Sequence, residues 1–282
     1  MITHTTWKKV KHSLDLIRKA ERLALELNPD DGLYVAFSGG KDSQVLLDLV
    51  HLANVKFKAY YHVTTNDPPE NVYFIRKNYP EVIFTHPRTN FISLISKKGM
   101  PTPKRRYCCA ILKEVNGAGN VVLTGVRHEE SRTRAKYREV EVKSRRKENI
   151  TNFKERTIEN IIAAEHRCIK GKDSVLVSPL LEWTERDIWD YIEHVGIPRN
   201  PCYDVSDRVG CMWCPFSTAK EVTYYEKKYP KYRAAIVKAL ESYVSRHEQH
   251  GWGWKQTGEG YYQEWKKFCT LISSEEKSHN PL

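Results

Sequence analysis

The hexapeptide SGGKDS, Ser38 to Ser43, combines residue types that bind phosphate groups. Its two adjacent glycines let backbone amides approach an anion closely, its lysine adds a positive charge, and its serines add hydroxyl donors. The apolar stretches 33–37 before it and 45–50 after it predict a strand, a loop and a helix whose positive end faces the same anion. We therefore predict a nucleotide-phosphate site formed by Ser38, Gly39, Gly40, Lys41, Asp42 and Ser43.

The spacing around this hexapeptide differs from that of the Walker loop. Val35 stands where the Walker loop has its first glycine, and Asp42 follows the lysine in place of a serine or threonine. Enzymes that cleave the γ-phosphate are therefore disfavoured. Asp42 is a candidate for positioning Mg²⁺ or a phosphate group.

Four of the seven cysteines form two pairs that suit a metal site. Cys108 and Cys109 are adjacent, and Cys211 and Cys214 form a CxxC far along the chain. Four thiolates suit a tetrahedral ion or a four-iron cluster, and the adjacent pair favours iron and sulfur over zinc, whose structural sites separate paired cysteines. The nearby basic residues Lys104, Arg105, Arg106 and Lys113 would offset the negative charge of such a cluster. Cys168 and Cys202 have no partner at a ligand spacing, and we interpret them as structural thiols.

Strands and helices alternate along the first two thirds of the chain. Residues 7–27 have the period of an amphipathic helix, and apolar strands are predicted at 56–63, 82–85, 120–124 and 174–180, with helices between them. This alternation predicts an α/β fold with a doubly wound parallel sheet. Ligands of such sheets bind at the carboxyl ends of the strands, where the hexapeptide follows Phe37 and where Gly125 and Arg127 follow the fourth strand.

The chain should divide into three regions. We predict an N-terminal helix over residues 1–30, a nucleotide-binding and iron-sulfur domain over 31–216, and a helical, aromatic-rich C-terminal region over 217–282. The tail aromatics Trp252, Trp254, Tyr261, Tyr262 and Trp265 suit either stacking of unpaired bases or packing onto a core, and packing is the favoured interpretation.

Charge and composition indicate a polyanionic partner. The formal net charge is +11, and residues 127–147 hold nine Lys or Arg against four Glu. We interpret this segment as a mobile basic excursion with little apolar periodicity that would contact nucleic-acid phosphates through Arg132, Arg134, Lys136, Arg138, Lys143, Arg145, Arg146 and Lys147. No apolar run is long enough to span a membrane and no signal peptide is evident, so we expect a cytoplasmic protein without a membrane partner and with cysteines that are not disulfide-bonded.

Taken together, these motifs closely resemble the phosphoadenosine phosphosulfate (PAPS) reductase family of PP-loop ATP pyrophosphatases. The segment TGVRHEESRTR resembles the family's motif at Gly125, Arg127, Glu130, Ser131 and Arg134, and the likeness continues from Ser178 to Ile192 and through Asn200, Pro201 and Tyr203, so that it covers roughly residues 33–216.

The resemblance implies an adenine nucleotide alpha-hydrolase-like, Rossmann-like fold that cleaves ATP between its α and β phosphates. It further implies Mg²⁺ and a [4Fe-4S] cluster on Cys108, Cys109, Cys211 and Cys214. Lys41, Asp42 and Arg127 would be catalytic, and Gly125, Arg127, Ser131 and Arg134 would join the loop in binding the nucleotide.

Within that family, the sequence favours sulfur transfer over sulfonucleotide reduction. Reductases of the family carry a C-terminal nucleophilic cysteine in a Glu-Cys-Gly-hydrophobic-His setting, whereas the only late cysteine here, Cys269, stands in KKFCTLIS. The leading hypothesis is an ATP-dependent sulfurtransferase that activates a nucleic-acid acceptor and receives sulfur from a donor such as a cysteine desulfurase. The alternatives are a reductase of adenylyl sulfate nucleotides that uses Cys269, and a non-catalytic nucleic-acid-binding protein. The sequence leaves the acceptor, the role of the cluster and the oligomeric state open.

Overall fold

The chain forms two compact units that interleave along the sequence. The computed structural model describes residues 3–113, 117–131, 134–143, 158, 173–249 and 257–278. Unit 1 comprises Met1–Tyr61, Tyr73–Thr85 and Asn116–Asn200, and unit 2 comprises His62–Val72, His86–Val115 and Pro201–Leu282. The division into an N-terminal helix (1–30), a nucleotide-binding and iron-sulfur domain (31–216) and a C-terminal region (217–282) stays a prediction. Among the described residues, no helix is both long and apolar enough to cross a bilayer.

Six strands and nine helices are used below, numbered in chain order. The strands are β1 (Leu33–Ala36), β2 (Phe57–His62), β3 (Ile83–Thr85), β4 (Val121–Leu123), β5 (Val140–Lys143) and β6 (Ser174–Val177). The helices are α1 (His4–Leu27), α2 (Lys41–Ala53), α3 (Pro69–Asn78), α4 (Phe91–Lys98), α5 (Tyr107–Leu112), α6 (Glu185–Val195), α7 (Ala219–Lys228), α8 (Pro230–Gln249) and α9 (Gly258–Ser278).

One mostly parallel sheet of order β3-β2-β1-β4-β6-β5 forms the centre of unit 1. β1 pairs in parallel with β2 and β4, and β4 pairs in parallel with β6. The predicted α/β, Rossmann-like fold with a helical C-terminal region is therefore confirmed. Val35 lies opposite Leu123, and Leu123 lies opposite Val177, so the chain leaves β1, β4 and β6 at the same edge of the sheet. That edge carries the loop 38–43, the predicted phosphate site, which is called the phosphate loop below.

The basic segment 127–147 contains a strand that the sequence analysis did not predict. β5 runs antiparallel to β6, with the buried Val140 opposite Val177. Only two valines alternate with charged residues in β5, which is too short a pattern to stand out from its basic surroundings. Arg132, Arg145, Arg146 and Lys147, and the side chain of Lys143, lie outside the described residues, as does Cys168.

Helix α1 is fixed to the segment 179–187 by polar contacts. Thr6 Oγ1 and Lys9 Nζ donate to the two carboxylate oxygens of Asp187 at 2.8 and 2.6 Å, and Ser13 Oγ donates to the carbonyl oxygen of Pro179 at 2.6 Å. Asp187 also accepts from the backbone N–H of Thr184 at 2.8 Å, which completes the capping box of α6. Burial opposes the charge of Asp187, but the hydrogen bonds from Lys9, Thr184 and Thr6 lower its pKa to about 2.

The core of unit 2 combines aliphatic and aromatic side chains from α4, α7, α8 and α9 and from the loop before α7. Trp213 is fully buried and donates from Nε1 to the hydroxyl of Tyr262 at 2.8 Å, and Trp265 Nε1 donates to the carbonyl oxygen of Pro101 at 2.7 Å. Tyr262 and Trp265 are buried, which agrees with packing and not with base stacking at these positions. Trp252 and Trp254 lie outside the described residues.

Candidate functional site

The phosphate loop of unit 1 is held in shape by its own serines. Ser43 Oγ donates to the carbonyl oxygen of Gly40 at 2.8 Å and accepts from the backbone N–H of Ser38 at 3.2 Å. Gly39 has a φ of +78°, a conformation that favours glycine. The carbonyl oxygen of Gly39 accepts a hydrogen bond from Nδ2 of the fully buried Asn200 at 2.8 Å. The loop is thus preorganised, and the Ser43 hydroxyl stabilises the loop by its hydrogen bonds to the backbone.

The first turn of α2 presents backbone amides beside this loop. Gly40 is the N-cap and supplies no side-chain cap, so capping leaves the N-terminal amides of α2 available to an anion. Lys41 begins the helix and is almost completely buried. Together, the amides and the ammonium group make this end of α2 suited to a phosphate.

Lys41 belongs to a network of two cations and three carboxylates. Arg127 is 2% exposed, and its Nε donates to Asp42 Oδ1 at 2.6 Å while its Nη1 donates to Glu129 Oε2 at 3.0 Å. Glu185 at the start of α6 lies 3.8 Å from Arg127 Nη2 and 3.7 Å from Lys41 Nζ. Lys41 Nζ also lies 3.7 Å from Asp42 Oδ2.

These contacts give Arg127 and Asp42 a structural setting that the sequence did not reveal. Arg127 is enclosed by carboxylates of the protein, so its guanidinium holds the segment after β4 against α2. Removing Arg127 would leave the mostly buried carboxylate of Asp42 without the cation that lies nearest to it. The arrangement supports a positioning role for Arg127, and direct contact with a nucleotide stays a prediction.

Gly125 lies where the backbone after β4 passes the start of α2. A Cβ atom at this position would lie 3.1 Å from the carbonyl carbon and oxygen of Asp42, closer than most real Cβ contacts. The glycine thus permits the close approach that lets Arg127 reach Asp42. Ser131 and Arg134 form a turn of their own, in which the backbone N–H of Arg134 donates to Ser131 Oγ at 3.3 Å and the Arg134 guanidinium pairs with Glu130.

Glu185 and Trp189 are the members of this site that the sequence analysis missed as site residues. The Trp189 ring centroid lies 5.9 Å from Lys41 Nζ, and Trp189 Nε1 donates to Glu185 Oε1 at 3.4 Å. Their position in the sequence could have indicated the site. Both residues lie on the helix that follows β6, and the carboxyl end of β6 lies at the same edge of the sheet as the phosphate loop.

The four paired cysteines all belong to unit 2. Cys108 and Cys109 lie on α5, and Cys211 and Cys214 lie in the loop before α7. A hydrogen bond with Cys109, burial, and the charges of Cys109, Cys211 and Cys214 raise the pKa of Cys108. The structure therefore brings the two distant pairs within electrostatic range of one another. All four side chains remain partly exposed.

Polar groups of unit 2 surround these thiols. Thr64 Oγ1 lies 3.5 Å from Cys211 Sγ, and Arg208 Nη2 donates to Cys214 Sγ at 3.6 Å. The residues between the cysteines of the CxxC are fixed by Asn66, which accepts from the backbone N–H groups of Met212 at 2.8 Å and Trp213 at 3.3 Å. This shell orders the loop that carries the CxxC.

A partly exposed positive charge accompanies the thiols. Its neighbours Cys211, Asp67, Cys109 and Cys214 raise the pKa of Lys113, Cys211 most strongly and against the opposing effect of desolvation, so Lys113 stays protonated. The donor set and its charge match the chemistry of a four-cysteine cluster. However, among the described residues no group of three or more His, Cys, Asp or Glu side chains has the arrangement of a metal site. The assignment of a cluster to these cysteines therefore stays a prediction.

Cys269 on α9 differs from the four paired cysteines in its surroundings. It is 1% exposed and packs in the aromatic core of unit 2. Burial raises its pKa to about 12, which keeps the thiol protonated at neutral pH. Cys202 is likewise buried, as expected for a structural thiol.

Comparisons with known proteins match most of this chain. Residues 32–217 match the family model of the phosphoadenosine phosphosulfate reductase domain. An uncharacterised protein of Methanocaldococcus jannaschii is 26% identical over 79% of this chain and 44% of its own length. An adenosine 5'-phosphosulfate reductase of Bacillus cytotoxicus is 25% identical over 78% of this chain and 91% of its own length.

A solved structure adds a more distant likeness. The phosphoadenylyl-sulfate reductase of Candida auris, in its phosphate complex, superposes with a TM-score of 0.44 at 18% identity, over 75% of this chain and 96% of that chain. The present chain spans about half the length of the two M. jannaschii proteins that it matches, 44% of one and 57% of the other.

Proposed function

This chain belongs to the phosphoadenosine phosphosulfate reductase family, and we propose that it is an ATP pyrophosphatase-type sulfurtransferase whose acceptor is a nucleic acid. In this proposal the enzyme cleaves ATP to AMP and pyrophosphate in order to activate an oxygen of the acceptor. Sulfur then replaces that oxygen.

The phosphate loop is the observation that carries the proposal. It combines a preformed backbone, the uncapped N-terminus of α2 and the buried Lys41 at the carboxyl edge of the sheet. Helix amides and a buried ammonium group stabilise negative charge where it develops, and they need little reorganisation to do so. A departing pyrophosphate is the ligand that this arrangement suits. Mg²⁺ would accompany ATP and share its charge.

The proposed reaction has three steps. The acceptor oxygen attacks the α-phosphorus, the bond to the bridging oxygen of the β-phosphate breaks, and pyrophosphate leaves with the electron pair. The terminal sulfur of a persulfide, supplied by a partner such as a cysteine desulfurase, then attacks the activated atom and displaces AMP. A thiol of that partner finally attacks the inner sulfur, so that the S–S bond breaks, a disulfide forms on the partner and the electron pair stays on the sulfur of the acceptor. Lys41 would hold the β and γ phosphates during the first step, and Asp42 and Arg127 would keep the start of α2 in place.

Cys108, Cys109, Cys211 and Cys214 are the residues that would hold a [4Fe-4S] cluster. The proposal rests on their mutual electrostatic range and on the compensating charge of Lys113. Such a cluster would supply iron that coordinates sulfide, or it would only order the residues around it. Thr64 and Asn66 would orient the loop of the CxxC in either case.

A sulfonucleotide reductase is the competing function, favoured by the name of the Bacillus relative. It requires a thiol that attacks sulfur. Cys269 is buried and its raised pKa disfavours the thiolate, so it lacks the exposure and acidity that a nucleophilic cysteine needs. This observation favours the ATP-cleaving function.

The experiment follows pyrophosphate release from ATP with single-stranded DNA, RNA or no acceptor, and sulfite release from adenylyl sulfate with thioredoxin as reductant. We expect acceptor-dependent pyrophosphate and no sulfite. Lys41→Ala should lower pyrophosphate release by about 10²- to 10³-fold, the cost of removing one preorganised charge donor.

The matched control is Lys58→Ala, which removes an exposed lysine of β2 that pairs with Asp31 at 2.6 Å on the surface. It should retain full activity. Sulfite release without ATP consumption would replace the proposal with the reductase, and a Lys41→Ala protein with unchanged activity would exclude both enzymes.

A further inference from the structure

The segment of unit 2 from residue 86 to residue 113 has an unusual charge distribution. It contains seven Lys or Arg and no Asp or Glu. Six of these cations are exposed, and none of the six pairs with a carboxylate in the part of the chain that the structure describes: Arg88, Lys97, Lys98, Lys104, Arg105 and Arg106. Exposed cations without acidic partners favour binding of a multiply charged anion.

Two arginines from separate segments of unit 2 flank one aromatic ring. The guanidinium carbon of Arg106 lies 5.5 Å from the ring centroid of Phe216, and that of Arg208 lies 5.8 Å from the same centroid. Both arginines are exposed, and Phe216 is partly exposed. Arg208 also contacts Cys214 Sγ. Neither guanidinium pairs with a carboxylate among the described residues.

This arrangement is typical of phosphate recognition. Two guanidiniums near one ring repel each other unless an anion compensates them, and each can bind a phosphate through two parallel hydrogen bonds. Contact with the ring restricts both side chains, so less conformational entropy is lost when an anion binds. Flat guanidinium and phenyl faces also suit unpaired bases, which a duplex does not expose.

We propose that Arg106, Arg208 and Phe216 form a binding site for the phosphates of a single-stranded nucleic acid, extended by the exposed lysines and arginines of residues 88–106. The inference rests on the proposed function, because it identifies the surface of this protein that would bind the nucleic-acid acceptor. Six spread cations exceed what one small anion needs, and this favours a strand.

The test measures binding of a fluorescein-labelled single-stranded oligonucleotide by anisotropy across a range of NaCl concentrations, without ATP. Arg106→Gln and Arg208→Gln should each weaken binding about fivefold and reduce the slope of log K against log salt by about 0.7, the value for one phosphate of a single strand. In the double variant, the reduction of the slope should be about twice as large. Phe216→Leu should weaken binding several-fold without changing the slope.

The control is Arg246→Gln, which removes an exposed cation of α8 that bonds to Ser242 of its own helix at 3.1 Å. It should leave affinity and slope unchanged. Arg106→Lys and Arg208→Lys should keep the slope, which separates loss of charge from loss of folding. The inference is overturned if both glutamine variants keep the wild-type slope, if Arg246→Gln reduces the slope equally, or if a duplex binds as tightly as the single strand.

The same experiment separates this inference from the proposed function. Lys41→Ala should bind the oligonucleotide normally while releasing pyrophosphate about 10²- to 10³-fold more slowly. If wild-type protein binds with the expected slopes but never consumes ATP, the binding site stands and the proposed reaction falls. If pyrophosphate release depends on nucleic acid but the arginine variants bind normally, the reaction stands and this site is wrong.

Discussion

Glu185 should compete with the phosphates of a nucleotide for the two cations of the phosphate loop. Its carboxylate oxygens lie 3.7 Å from Lys41 Nζ and 3.8 Å from Arg127 Nη2. A phosphate approaching Lys41 would repel this carboxylate and displace it. Glu185→Gln removes the charge and keeps the shape, so we expect it to strengthen binding of pyrophosphate.

The size of the effect follows from distance and exposure. Two unit charges at 3.7 Å attract by about 1 kcal/mol in water-like surroundings and by several times more in a buried site. The Glu185 side chain is 56% exposed, so the lower value applies, and screening and side-chain entropy reduce each pair further. A net change of about 1 kcal/mol corresponds to about fivefold tighter binding.

Isothermal titration calorimetry with pyrophosphate, in the presence and absence of Mg²⁺, measures this change. The matched control is Glu182→Gln, whose carboxylate is 68% exposed and lies 3.7 Å from His128 Nδ1; it should bind as the wild type does. Weaker binding by Glu185→Gln only when Mg²⁺ is present would refute the reasoning, because the carboxylate would then be a ligand of the metal. Unchanged binding under both conditions would show that Glu185 does not oppose the anion.

Three further variants test other contacts. Cys269→Ala should leave pyrophosphate release unchanged and lower thermal stability, and loss of sulfite release from adenylyl sulfate in this variant would instead identify a reductase. Gly125→Ala should weaken pyrophosphate binding, because its Cβ would press on the backbone of Asp42 at 3.1 Å, and wild-type affinity in calorimetry would contradict the close approach. Asp187→Asn should lose about 2 kcal/mol of unfolding free energy at pH 7, since the native pKa of about 2 lies below the ordinary value of 3.8. The stabilisation by Asp187 is complete above about pH 4 and disappears as the pH falls through 2, so urea unfolding of the wild type and the variant should converge there; a difference that persists at pH 2 would exclude this cause.

The sequence was sufficient to predict the strand, loop and helix around Ser38–Ser43 because the signals for them are local. Two glycines and an apolar strand before a helical period determine the strand, loop and helix from a few adjacent residues. The common edge of β1, β4 and β6 also followed from alternation, since parallel strands must end on the same side. Arg127 therefore came near the loop as expected.

What surrounds Arg127 was not predictable, because it depends on where distant elements meet in space. Glu185 is one of two acidic residues in the first turn of α6, where carboxylates are common, and nothing in its spacing indicates a contact with Lys41 or Arg127. Similarly, Thr64 and Asn66 follow β2 without any motif, and their contacts with the CxxC loop arise only from tertiary packing.

The polar anchoring of α1 has a consequence for synthesis of the protein. Thr6, Lys9 and Ser13 each have a hydrogen-bond partner in residues 179–187, more than 160 positions later. At translation rates of about 5 to 20 residues per second, these groups wait roughly 10 to 35 seconds on the ribosome before they are paired. These hydrogen bonds of α1 thus form late in synthesis, well after α2, which also packs against α1, has been made.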